Sequence, residues 1–104
     1  MNNKIFINDN FKLTTKVIDG EIYFDAADVA KSLGFITVAK SGNVCVRWNR
    51  LNQYLENYPD VVKVKAGDFI PEAAAYLLTM KANNEIAVKF QLWLSTEVLP
   101  SIRK

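Results

Sequence analysis

The sequence predicts one α+β domain, in which a small antiparallel sheet or hairpins in the N-terminal and middle parts pack against about four helices. The first 24 residues alternate apolar and polar side chains, whereas most later segments repeat apolar residues at helical spacing. At 104 residues the chain has the size of a single domain, and no repeat or linker divides it. We expect the last two helices to form a C-terminal helical pair.

Three short strands are predicted at the start of the chain. Residues 4–8 and 13–17 alternate as half-buried strands do. Asp19-Gly20 is a two-residue hairpin signal, since both positions tolerate a positive φ, and residues 22–24 follow it. The three strands should form a meander.

A short helix is predicted directly after the meander. Asp25 is its candidate N-cap, and Asp28 is placed to favour the positive end of the helix dipole. Gly34 supplies a left-handed stop. The predicted buried stripe follows the i, i+3, i+4, i+7 spacing and comprises Ala26, Val29, Ala30 and Leu33.

The middle of the chain leaves one alternative open. Residues 36–38 and 44–46 are β-branched segments around Lys40-Ser41-Gly42-Asn43, so a second hairpin and a mobile loop both fit. Helical spacing returns in residues 48–58, and Pro59 ends that helix. Residues 61–64 are a further strand candidate.

Two helices are predicted in the C-terminal part. Pro71 suits the first helical position, and residues 73–80 are apolar nearly all round, which indicates deep burial. Asn83-Asn84 is a break and a cap before a final helix over residues 85–99. Pro100 should mark the end of the compact fold. The final helix has an apolar stripe of Ile86, Phe90, Trp93, Leu94 and Val98.

Composition limits the classes of function. The formal net charge is only +2, there is no histidine, and Cys45 is the one cysteine, which we expect to be a small buried hydrophobe. The usual nucleophile, base and zinc constellations cannot be assembled from these residues. We therefore expect no enzymatic activity, no metal and no cofactor. No apolar run is long enough to cross a membrane, so a cytoplasmic protein is expected.

One helix face carries chemistry suited to nucleic acid. Asn49, Arg50, Gln53 and Asn57 fall on one side of the helix over residues 48–58. Amides pair with adenine edges and arginine with guanine, while Lys40 and Arg47 upstream could hold phosphates. The alternative is that these are solvated residues of an amphipathic helix. Trp48 and Trp93 fit core packing better than a partner-binding role.

Three segments, in the same order, resemble the BRO N-terminal domain, a module of phage antirepressors and of related proteins in large DNA viruses. Residues 19–35 are similar to its D-G-E-x-W-F segment and the D-V-A-x-x-L-G-Y helix that follows. The other two are F-I-P-E followed by Y-L-L at residues 69–78, and A-V-K-F-Q-L-W followed by E-V-L-P at residues 87–100. The middle differs, since V-C-V-R-W-N-R replaces a segment that holds a histidine in many members.

This resemblance implies a transcriptional regulator of viral or prophage genes. Members are implied to act either by binding DNA or by antagonising a repressor. We expect DNA to be the partner, and the alternative is a protein-interaction module that captures a repressor or self-associates. The module usually precedes a variable C-terminal domain, so residues 1–104 are expected to be the N-terminal fragment of a longer protein.

Overall fold

The predicted meander is present in the computed structural model, which describes residues 3–56, 58 and 63–103. Strands β1 (Lys4–Ile7), β2 (Lys12–Ile18) and β3 (Glu21–Asp25) pair antiparallel in sequence order. Asp19 and Gly20 form the turn between β2 and β3, with φ values of 52° and 81°. The α+β class and the N-terminal meander are confirmed.

The sheet gains a fourth strand from far along the chain. Strand β6 (Phe69–Pro71) pairs antiparallel with β3, so the strand order is β1-β2-β3-β6. Pro71 was predicted at the first helical position, but it is the last residue of β6 and the N-cap of the following helix. Because β6 is an edge strand, a proline there interrupts no ladder on its outer side. Of the candidate strand at residues 61–64, only Lys63 and Val64 are described, and they lie in no strand.

Helices pack on one face of this sheet. The four main helices are α1 (Ala26–Leu33), α2 (Trp48–Leu55), α3 (Glu72–Ala82) and α4 (Glu85–Trp93). Alternate strand residues, including Leu13, Phe24 and Ile70, are fully buried, and α1 and α3 contact that side of the sheet. Helix α4 then packs against both α1 and α3.

Strand β3 runs into α1 without a loop. Asp25 ends the strand and caps the helix, where its Oδ1 accepts from Ala27 N at 3.0 Å. Ala26 N donates to the Asp68 carbonyl at 3.0 Å, which ties this junction to the turn before β6. Gly34 ends the helix at φ 86°, and the predicted buried stripe of α1 is confirmed.

Asp28 has a structural role that the dipole argument missed. It is only 7% exposed, and its Oδ2 accepts from the backbone N of Thr14 at 2.9 Å. Thr14 lies on β2, so this bond joins α1 directly to the sheet. A buried acceptor that satisfies a backbone donor is costly to remove.

The middle segment is a hairpin rather than a loop. Strands β4 (Ile36–Val38) and β5 (Val44–Val46) pair antiparallel as a separate two-stranded sheet. Cys45 was expected to be buried, but it is exposed. Its position explains the error, because most of this small sheet extends away from the core and only its end at Ile36 and Val46 is half-buried.

The break between α3 and α4 forms as predicted. Asn83 adopts a left-handed conformation at φ 46°, and Asn84 caps α4 by accepting from Ala87 N at 2.8 Å. Two expected burials fail at this corner: Met80 on α3 and Ile86 on α4 are both exposed. Trp93 is buried and stacks on Phe11 with ring centroids 5.6 Å apart, which confirms its core role. Trp48 is half-buried.

The final helix differs from an unbroken helix over residues 85–99. A π-helical turn (Leu94–Val98) follows α4, and α5 (Leu99–Ile102) follows the turn. Leu99 N donates to the Leu94 carbonyl, five residues back. Pro100 therefore lies inside the helix and does not end the compact fold, since Ile102 still packs against the core.

The π turn also accounts for how a proline is tolerated there. Proline removes one helical hydrogen bond and its ring crowds the carbonyl four residues earlier. A widened turn relieves that crowding. Side-chain hydroxyls provide further partners for the carbonyls of α4, as Thr96 Oγ1 donates to the Leu92 carbonyl at 2.6 Å.

We predict that Asp28→Ala lowers the free energy of unfolding by about 1–3 kcal/mol, because the Thr14 amide loses its acceptor in a partly buried site. Urea denaturation measures the change. Asp25→Ala removes a carboxylate of the same type from an N-cap and should cost about 1 kcal/mol. An Asp28→Ala variant as stable as the natural protein would contradict the assignment.

Candidate nucleic-acid interface

The β4–β5 hairpin presents Lys40 at its tip. Gly42 N donates to the Ala39 carbonyl at 2.8 Å, and Ala39 N donates to the Asn43 carbonyl at 2.9 Å. Gly42 takes φ 89°, so Lys40 and Ser41 are the central residues of a type I turn closed by a glycine. The Lys40 side chain is exposed at the point of the hairpin.

The backbone of Arg47 joins the hairpin to α2. Its N donates to the Phe35 carbonyl at 2.9 Å, which closes the base of the hairpin. Its carbonyl accepts from Arg50 N at 3.0 Å and from Leu51 N at 3.1 Å, which starts the helix. One residue therefore sets the position of the hairpin relative to α2, while its side chain is exposed.

Helix α2 separates its residues into an inner and an outer face. Leu51 and Leu55 are buried, whereas Asn49, Arg50 and Gln53 are exposed as the sequence predicts. Asn57 lies outside the described residues. The structure gathers most of the predicted residues in one shallow depression, which is lined by Val46, Arg47, Trp48, Asn49, Arg50 and Gln53. Lys40 lies apart from it, at the hairpin tip.

Asn52 holds α2 in place, a role that sequence reasoning missed. Its Nδ2 donates to the Val64 carbonyl at 3.0 Å and its Oδ1 accepts from Val64 N at 2.6 Å. This amide therefore satisfies both backbone groups of a buried residue. The sequence does place Asn52 at the boundary between the polar and the apolar side of α2, where a partly buried amide is expected. It does not identify Val64 as the partner, because Val64 is twelve residues away.

Lys81 joins the cationic surface from another helix. Its Nζ lies 6.0 Å from the ring centroid of Tyr54, and the Arg50 guanidinium carbon lies 5.9 Å from the same centroid. Arg50 Nη1 also donates to the Tyr54 hydroxyl at 3.3 Å. The sequence could not reveal this grouping, because Lys81 is brought to α2 only by the packing of α3.

Charge is distributed unevenly despite the small net value. The segment from Val29 to Leu55 contains four basic residues and no aspartate or glutamate. In the described part of the chain, the one ion pair joins Arg103 to Glu72, so Arg47, Arg50 and Lys81 form no ion pair there. The hairpin and α2 therefore contain no acidic residue of their own, and the exposed Glu56 follows directly at the C-cap of α2. The basic residues of the segment are Lys31, Lys40, Arg47 and Arg50.

The N-terminus of α2 strengthens this positive character. Arg47 is its N-cap but makes no side-chain capping bond, and the first turn contains no acidic residue. Serine, threonine, aspartate or asparagine would cap the helix better, and a cation is unfavourable at the positive end of the helix dipole. The free amide groups and Arg47 together make an anion-attracting end.

Comparison with protein-family models identifies a match. The N-terminal domain of the BRO family matches residues 12–100, which is most of the chain. The chain belongs to the BRO family. Neither a curated protein nor a solved structure matches it. The matched range of this BRO domain contains α1, the hairpin, α2 and the sheet apart from β1.

A second concave surface of the BRO domain lies away from the predicted residues. It is a groove of about 660 Å³ where β3 and β6 meet α3, with walls that include Tyr23, Phe69 and Tyr76. Burial raises the pKa of the Tyr76 phenol, Glu72 raises it further, and Arg103 opposes the shift. Aromatic side chains and charged groups of both signs line this groove.

No helix in the described ranges is long and apolar enough to span a bilayer.

We predict that Asn52→Ala destabilises the BRO domain by about 1–3 kcal/mol, because two hydrogen bonds to Val64 are lost. Asn49→Ala on the exposed face of the same helix is the matched control and should change stability by less than about 0.5 kcal/mol. Thermal or urea unfolding measures both. Equal effects of the two substitutions would contradict the different roles assigned to these asparagines.

Proposed function

We propose that this BRO domain is a DNA-binding regulatory module of a phage or prophage antirepressor, which acts in the cytoplasm of a bacterial host and controls viral or prophage transcription. The observation that carries the proposal is the local excess of basic residues in the hairpin and α2, which contain no acidic residue. Duplex DNA is a dense line of phosphates, and a protein needs a local excess of cations, rather than a high total charge, to bind it.

The residues divide into two roles on this surface. Asn49, Arg50 and Gln53 project from the outer face of α2 and have the donor and acceptor groups that read base edges in the major groove. Arg47 and Lys81 lie beside them and Lys40 lies at the hairpin tip, and all three suit contacts to phosphates, which position a protein without specifying sequence. The amide end of α2 adds a further phosphate-binding element.

Arg47 supports the proposal through its cost to stability. An N-cap residue that neither caps the helix nor suits its dipole is unfavourable for folding. Residues that break a local rule are expected mainly at functional sites. Phosphate binding gives a reason for a cation at this position.

A protein-interaction role is the second candidate, in which the domain captures a repressor or self-associates. Exposed apolar side chains on α3 and α4 favour it. Val88 and Leu92 are spaced i, i+4 on the solvent side of α4 and are 57% and 58% exposed, and Met80 on α3 is 64% exposed. Light scattering at increasing protein concentration, at low and at high salt, detects self-association. Association through apolar side chains persists at high salt, whereas binding to DNA phosphates does not.

We predict that the natural protein binds a mixed-sequence DNA duplex in a salt-sensitive manner, and that Arg50→Ala and Lys81→Ala each weaken binding. Lys81→Ala loses a phosphate contact and should lower the slope of log Kd against log salt by about 1. Arg50→Ala loses a base-edge contact and should lower affinity with a smaller change of slope. Fluorescence anisotropy at several salt concentrations measures the slope. Lys16→Ala is the matched control, because Lys16 lies over Phe69 on the sheet, away from α2. A flat titration of the natural protein at low salt would exclude the proposal.

We predict that Arg47→Ser separates stability from binding. Serine caps the helix better and removes an unfavourable charge, so the free energy of unfolding should rise by about 0.5–1 kcal/mol. DNA affinity should fall at the same time, because a phosphate-binding cation is lost. Urea denaturation and anisotropy on one preparation give both values. If stability and affinity fell together, Arg47 would have a structural role only.

A further inference from the structure

The β4–β5 hairpin has an apolar face that runs outward from the core to its tip. The register pairs Ile36 with Val46 at the base and Val38 with Val44 near the tip, so all four side chains share one face. Ile36 and Val46, at the base of the hairpin, are half-buried, and Val46 packs against the core. Val38 and Val44 are 63% and 51% exposed. The outer half of this face is thus uncovered.

The surroundings of the exposed valine pair favour an anionic occupant with apolar groups. The hairpin contains Lys40 at its tip and no acidic residue. At its base, Val46 lines the same depression as Arg47, Asn49 and Arg50. The valine pair therefore extends a cationic surface outward on a rigid support, since the Arg47 backbone fixes the hairpin to α2.

We propose that the hairpin is a second DNA-contacting element, in which Val38 and Val44 pack against apolar groups of the duplex while Lys40 holds a phosphate. This inference rests on the proposed function of α2 and adds a partner surface to it. Duplex DNA offers two sources of apolar contact, the deoxyribose faces along a groove and the methyl groups of thymine.

Apolar contacts have a signature that phosphate contacts lack. Removing a phosphate contact changes both affinity and salt dependence, whereas removing an apolar contact lowers affinity equally at every salt concentration. The test uses the full chain and a mixed-sequence duplex of about two helical turns, with anisotropy read over a range of salt concentrations. Val38→Thr with Val44→Thr keeps the β-branched shape that a strand prefers. Val88→Thr, from an exposed valine on α4, is the matched control.

The double threonine variant should bind about tenfold more weakly at every salt concentration, with an unchanged slope, while Val88→Thr binds as the natural protein does. Lys40→Ala should lower the slope by about 1. A duplex in which uracil replaces thymine separates the two sources. If the natural protein binds it more weakly, the valines contact thymine methyls; equal binding assigns the contact to the deoxyribose faces.

Other results would overturn the inference in distinguishable ways. If the double threonine variant binds as tightly as the natural protein while Arg50→Ala still weakens binding, the hairpin claim fails and the function of α2 stands. If the natural protein does not bind duplex DNA, the proposed function itself fails. If light scattering shows that the threonine variants change the oligomeric state, the valine pair contacts a second copy and not DNA. Unfolding midpoints of every variant establish that the fold is retained.

Discussion

The direct junction of β3 with α1 is the constraint on which the rest of this fold depends. Asp25 ends a strand that is paired on both sides, and the same residue caps the helix. With no loop between them, α1 has little freedom in how it crosses the sheet. The bond from Thr14 to Asp28 then fixes the helix from its other side. The hairpin and α2 follow α1 in the chain, so the orientation of α1 determines where they begin.

Local chemistry made part of this fold predictable from the sequence. The Asp19-Gly20 turn, the Asp25 cap and the Asn83-Asn84 break each depend on a few neighbouring residues, and all three form. Elements that need distant partners were missed or misplaced. Pro71 is in a strand because β3 provides a partner for β6, and Asp28 is buried because β2 provides a donor. No pattern within either segment contains that information.

The candidate site also combines residues that local sequence predicts with residues that only tertiary packing brings together. Asn49, Arg50 and Gln53 were predicted from helical spacing, and Arg47 as the basic residue just upstream. These four residues line one depression, because they belong to α2 or to its N-cap. Lys81 and Tyr54 could not be assigned to the surface, since α3 reaches α2 through tertiary packing. The small net charge of the whole chain also conceals a locally basic segment, because acidic residues are concentrated outside the segment that forms the hairpin and α2.

The π turn after α4 sets the rotational phase of the chain's last helical segment. Each residue of an α-helix turns the following side chain by about 100°, so a widened turn changes which residues face the core beyond it. Val98, the last residue of this turn, and Leu99, the first residue of α5, are both buried. The core consequently depends on the number of residues between Leu94 and Val98 more than on the identity of the exposed ones. The number of residues in the π turn, and not the chemistry of its exposed side chains, determines which side of the C-terminal helix faces the core.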